Sequence, residues 1–198
     1  MNPNELLQLV LNCGADKAAL IQQSSIALSA EFREACARNQ CGLYGRCWMC
    51  PPDVGDIEVL MAQVRAFPQG VLYQTIGTLE DSFDYEGMTA AGRHHAQVSQ
   101  RIRAALPAGL RVLHLTCGGC RVCETCAKIT GEPCRFPDRA LPSVESYGVD
   151  VYNTARATDL KYINGADTVT YFGLLLFEED SHAQADHPSG KCQPHADL

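Results

Sequence analysis

Apolar residues recur every three or four positions in three stretches of the chain, and two of the stretches also carry start or stop signals that mark a helix. In the first, Leu6, Leu7, Val10 and Leu11 share a face behind Asn2 as cap, with Pro3 at the first helical position and Glu5 reaching back; this predicts a helix over 3–13. In the second, Ile57, Leu60, Met61, Val64 and Phe67 follow a capping Asp56 and stop at Pro68. In the third, Ala91, Val98, Ile102 and Ala105 define the face of a long helix over 86–106. Shorter helices are expected from a capping Ser29 to near Cys36, carrying Phe32, and from Ser143 and Asp150, separated at Gly148.

Between the helices lie short apolar runs suited to strands, at 17–21, 71–77, 110–116 and 168–177, the last apolar enough to be buried on both faces. The expected fold class is α/β: a small mixed sheet of about four strands flanked by helices, carrying two cysteine-rich loops. The strand, helix, strand order across 71–116 predicts a right-handed parallel unit, with the second cysteine run leaving the carboxyl end of its last strand, where open α/β sheets place their chemistry. Residues 1–177 are expected to form one domain. Residues 178–198 are polar with little to bury and are expected to be a disordered tail.

Composition narrows the chemistry. The 198 residues are 46% hydrophobic, ordinary for a globular protein, and no stretch approaches the length of a membrane span. The N-terminal segment carries acid where a secretory signal carries base, so a cytoplasmic location is expected. A net charge of −7 argues against a nucleic-acid role, which needs a basic face. Neither a phosphate-cradling glycine loop nor a GxGxxG turn after a strand is present, and the CxxxCxxC signature of radical enzymes is missing.

The eleven cysteines change the picture most, because in a reducing compartment they point to metal or redox chemistry and not to a disulfide framework. Nine fall into two runs: Cys36, Cys41, Cys47 and Cys50, then Cys117, Cys120, Cys123, Cys126 and Cys134, with Cys13 and Cys192 apart from both. Three cysteines at intervals of three wrap a loop so that each thiolate reaches a different iron of a cubane, and a more distant fourth completes the set. Cys120, Cys123, Cys126 and Cys134 fit that pattern best, leaving Cys117 as a spare or an alternative first ligand. Gly118 and Gly119 let the backbone turn its N–H groups toward sulfur, and Arg121, Lys128 and Arg135 offset thiolate charge. Zinc is the alternative, but it favours paired CxxC knuckles across a longer loop. The first run is less diagnostic; Pro51 and Pro52 stiffen the exit from Cys50, while Cys36 and Cys41 also suit small buried positions.

Taken together, Cys36 and Cys41 followed by Tyr44-Gly45, then Trp48 and Cys50-Pro51-Pro52, and later Cys120-Arg121-Val122-Cys123, Cys126, Pro133-Cys134-Arg135, Pro137, Ser143-Val144-Glu145 and Gly148-Val149-Asp150-Val151 resemble the predicted metal-binding family known as domain of unknown function 2284, over about residues 30–177. The resemblance implies metal binding and cubane clusters, and no assigned reaction. Cys47 and Cys117 look like additions to the family pattern, so the first site takes Cys47 as a fourth ligand or leaves one iron open.

The expectation is an iron–sulfur protein with one or two [4Fe-4S] clusters, an electron carrier or redox accessory serving a protein partner, with an open-iron redox enzyme and a structural zinc module as alternatives. His94 and His95 are expected to be an exposed pair and His114 a satisfied core or rim histidine. His182, His187, His195 and Cys192 fall in the tail. Ser143-Val144-Glu145 is expected to cap a helix, Arg135 and Arg139 to serve cluster charge or docking, and Tyr44 and Trp48 to pack against a cluster.

Overall fold

Each helix begins where a side chain satisfies its orphan N–H groups. In the computed structural model, which describes residues 1–178, α1 spans Pro3–Asn12 behind the anticipated capping box: Asn2 accepts the Glu5 N–H at 2.9 Å and Glu5 accepts the Asn2 N–H at 2.8 Å. In α2 (Glu31–Ala37) the cap is Ala30 and not Ser29, although Ser29 Oγ still accepts the Glu31 N–H at 3.2 Å. Asp56 caps α3 (Ile57–Arg65), Asp84 caps α4 (Tyr85–Ala105) and Asp150 caps the short α5 (Val151–Ala155). The helix expected from Ser143 is one 3-10 turn, Glu145–Tyr147, whose cap residue is Val144 and not Ser143; the Ser143 hydroxyl, one residue earlier, accepts the Ser146 N–H at 3.1 Å.

All four strands form, as β1 (Lys17–Gln22), β2 (Gln69–Thr78), β3 (Val112–Leu115) and β4 (Thr168–Phe177). They make one sheet in the order β1-β2-β4-β3, every neighbour antiparallel. This corrects the expected parallel unit. β2 and β3 do run the same way with α4 between them in the chain, but β4 is inserted between them, and among the described residues the parallel contact is an isolated bridge from Thr116 to Ser143. The cause lies in β4 itself: its residues from Phe172 to Phe177 are all buried, and a strand apolar on both faces belongs in the interior of a covered sheet.

Alternation along the strands then builds two cores. On one face Leu6 and Val10 of α1 and Val98 and Ile102 of α4 pack against Val71, Tyr73, Leu175 and Phe177. On the other, Leu60 and Val64 of α3 meet Ile21, Leu72, Leu115, Leu174 and Leu176, together with Val144, Val149 and Ala155. Burial of one such side chain is worth about 1.5–3 kcal/mol. The two paired strands approach closely at Gly173, where an added Cβ would run into the Tyr73 ring of β2.

A polar seam runs through the α4 core. Tyr73 Oη lies 2.8 Å from Ser99 Oγ and 2.9 Å from His114 Nε2; Ser99 Oγ lies 3.0 Å from Thr116 Oγ1, and Thr75 Oγ1 lies 2.9 Å from His95 Nδ1. His94 is exposed as expected, but His95 is fully buried, its ring stacked on Tyr73 at 5.5 Å. His95 sits one helical turn from Val98 and Ser99 on the packed face of α4, and that placement overrides its polarity. His114 is a core histidine bonded through Nε2, while its Nδ1 has no hydrogen-bond partner. The tail's His182, His187, Cys192 and His195 lie outside the described residues.

Candidate metal centre

Both cysteine runs leave regular structure at a fixed point and turn toward each other. The first begins in the last turn of α2 with Cys36 and crosses an irregular loop to Asp56; the second begins where β3 ends and continues to Leu141 with one 3-10 turn, Ala127–Thr130. Gly118 adopts φ +63°, a conformation cheap for glycine, and Gly119 is pressed against the first loop: an added Cβ would overlap the Leu43 side chain and stand 3.6 Å from Cys50 Sγ. Two further ties join the loops. Lys128 pairs with Asp53 at 2.5 Å and lies 4.3 Å over the Trp48 ring, whose Nε1–H donates to the Glu132 carbonyl at 2.9 Å.

Cys47, Cys120, Cys123, Cys126 and Cys134 line one small cavity, walled also by Trp48, Met49, Val122, Phe136 and Ala140. Cys47, from the first run, therefore sits with the second. Its sulfur receives the Cys50 thiol, the Met49 and Cys120 N–H groups and the Cys126 thiol, which together outweigh burial and hold Cys47 below the ordinary thiol range. Cys50, the donor in that pair, is pushed up by the hydrogen bond, by burial, and by the charges of Cys47, Cys41 and Cys36. Cys120 is raised by burial, opposed by the Val122 and Leu141 N–H groups on its sulfur. Backbone N–H groups directed at sulfur are what a thiolate-bound cluster uses to spread its charge.

A second group gathers around Glu145. Burial and the Glu145 carboxylate raise Cys36, opposed by Arg33; burial and Glu145 also raise Cys117, opposed by Arg121. Burial lifts Glu145 itself above the carboxylate range, opposed by N–H groups of Glu145 and Gly118 and by the Ser143 hydroxyl. Its Oε2 is buried without a hydrogen-bond partner, as is Arg33 Nε. Cys36 and Cys117 thus share one carboxylate, while Cys50 feels Cys36 and Cys41. Sequence reading assigned Glu145 to a cap and passed over Asp53; a lone acid gives no signal of this kind until the loops are folded together.

All nine cysteines of the two runs are free thiols. Among the described residues no three His, Cys, Asp or Glu side chains converge as ligands of a single ion do; the five sulfurs of the larger group instead ring a shared space. Trp48 lines the cysteine cavity, and Tyr44 does not. Lys128 serves the loop-to-loop tie, Arg135 donates to the Thr125 carbonyl at 3.0 Å, and Arg139 lies over the Phe136 ring.

An α/β sheet that brings two cysteine-bearing loops together in this way defines a cysteine-rich metal-binding protein. The chain belongs to the family described as predicted metal-binding protein, domain of unknown function 2284, whose model matches residues 19–177 and so takes in β1 as well as both loops. No curated protein and no solved structure matches it. No helix among the described residues is long and apolar enough to cross a membrane.

Proposed function

We propose that the chain is a cytoplasmic iron–sulfur protein that carries electrons to or from a partner protein. The observation that carries this reading is the convergence of Cys47, Cys120, Cys123, Cys126 and Cys134 on one cavity, with backbone N–H groups donated to the Cys47 and Cys120 sulfurs. A tetrahedral zinc site draws four thiolates to about 2.3 Å from one ion; five cysteines spread around a common space, three of them at intervals of three, suit a [4Fe-4S] cluster better. When bound, such a cluster supplies one-electron transfer. The chain's own contribution is to hold the sulfurs between two loops that Lys128 and Asp53 pin together, to exclude water with Trp48, Met49 and Phe136, and to supply N–H groups that tune potential.

A second reading, a redox enzyme with one open iron, has its own support. With Cys47 lining the other cavity, Cys36, Cys41 and Cys50 are left with Cys117 and the half-buried Glu145, a set in which a carboxylate competes for the fourth position. Anaerobic purification followed by an absorption spectrum with iron, sulfide and zinc analysis tests both readings. A band near roughly 400 nm that bleaches with dithionite, with about four irons for one group or about eight for both, is expected. Colourless protein carrying zinc overturns the proposal in favour of a structural zinc module.

A further inference from the structure

Beside the cysteine cavity lies a second, far larger concavity, a groove of about 1270 Å³ between α4, the turn before β3 and the second cysteine loop. Arg93, Arg101, Arg103, Arg121 and Arg139 line it, with Asp138 as the one acidic residue. Five of the chain's twelve arginines thus meet in one depression of a protein whose net charge is −7. Among the described residues none of the five forms an ion pair; the three pairs present involve Arg111, Lys128 and Arg135. Two of them are oriented by carbonyls, Arg101 Nε–H donating to Cys13 at 2.9 Å and Arg103 Nε–H to Asp138 at 3.3 Å, which leaves the rest of each fork uncommitted by those bonds. Guanidinium groups that line one groove without acidic partners favour an anion there, and the planar fork matches phosphate and carboxylate oxygens.

The rest of the lining limits what the anion is. At the floor the buried hydroxyls of Ser99 and Thr116 mark the outer end of the polar seam that continues to Tyr73 and His114. Leu106 and Leu141 offer apolar surface to an organic portion, and the volume exceeds the roughly 300–1,000 Å³ of most small-molecule sites, so bare phosphate would leave it largely unfilled. The net charge of −7 disfavours an extended polyanion such as nucleic acid. Cys120 and Val122 line both this groove and the cysteine cavity, so the two share a wall.

We propose that this groove binds a small organic anion bearing phosphate or carboxylate groups, seated on the five arginines and separated from the metal centre by Cys120. The site goes beyond electron transfer and does not depend on which metal the cysteines hold.

Calorimetric titration of the full-length, metal-loaded protein at low salt with ATP, pyrophosphate and citrate tests it. At least one probe is expected to bind, with affinity that falls as salt is added. Arg93→Gln/Arg101→Gln, both on α4 and outside the two cysteine loops, is expected to weaken binding about tenfold or more, the loss of charge-assisted contacts; Arg65→Gln on α3, outside the groove, is expected to bind like the unaltered protein. Should the double variant fail to fold, Arg121→Gln at an exposed position gives the same comparison. ATP or pyrophosphate binding identifies phosphate as the recognised group, and citrate binding alone identifies carboxylate. Failure of all three probes to bind, or equal binding by the arginine variants, overturns the proposal. Metal content and spectrum are read separately on each sample, so a zinc result sinks the electron-transfer reading and leaves this one standing.

Discussion

Replacing Cys123 by Ser removes one of five sulfurs from the shared cavity without changing the loop's length or the ties at Lys128 and Trp48. Because metal binding and folding of the loops are coupled, Cys123→Ser is expected to lower metal content by one centre and to lower Tm; metal analysis and a thermal melt check both. Unchanged metal content refutes the ligand assignment. The buried histidines make a separate, pH-dependent prediction. Burial lowers His95 to about 4 and His114 to about 3, from an ordinary value near 6.5. Both are neutral when folded, so the unfolded chain binds more protons at mildly acidic pH. Stability is therefore full above about 6.5 and falls as pH drops toward 4, by on the order of 3 kcal/mol for His95 alone. Denaturant melts of the protein and of His95→Gln at pH 7 and pH 5 are expected to show a smaller loss in the variant; equal losses refute the assignment. The cysteine spacing was readable because ligand loops obey strict local intervals. Cys47 beside the second run, and Glu145 beside Cys36 and Cys117, were not, since each depends on two loops far apart in sequence coming together.

At the level of elements, capping chemistry placed the helices well: Asn2, Asp56 and Asp150 all stand where their side chains hydrogen-bond the first turn. Strand β4 runs from Thr168 to Phe177, the span its apolar run predicted. What the run does not disclose is its neighbours: β4 stands between β2 and β3, which run the same way without pairing; pairing partners are chosen by tertiary packing, to which local periodicity is blind. The same strand carries a tightly constrained glycine. Gly173→Ala forces the Tyr73 ring away from the sheet and from Ser99 and His114, and is expected to destabilise the fold by about 1–3 kcal/mol. Chemical denaturation measures this; a neutral result means the ring relocates freely.

Considered whole, the molecule divides into a sheet with two packed cores and a pair of irregular loops tied to each other by an ion pair and an indole hydrogen bond and to the helices by Arg33, Gln100 and Arg103. Removal of metal by a chelator is accordingly expected to raise amide exchange across 38–56 and 117–140 while β2 and β4 stay protected, a contrast that hydrogen–deuterium exchange resolves. Uniform loss of protection instead marks the metal as part of the global fold.

The position of β4 reaches further than stability. Every cysteine of both runs precedes it in the chain, yet β3, from whose end the second loop departs, pairs in the sheet with β4. During synthesis the nine thiols emerge from the ribosome before the strand that fixes their supports. Stable metal loading is therefore expected to follow completion of the sheet, so that a chain shortened before Thr168 carries less metal than the full chain.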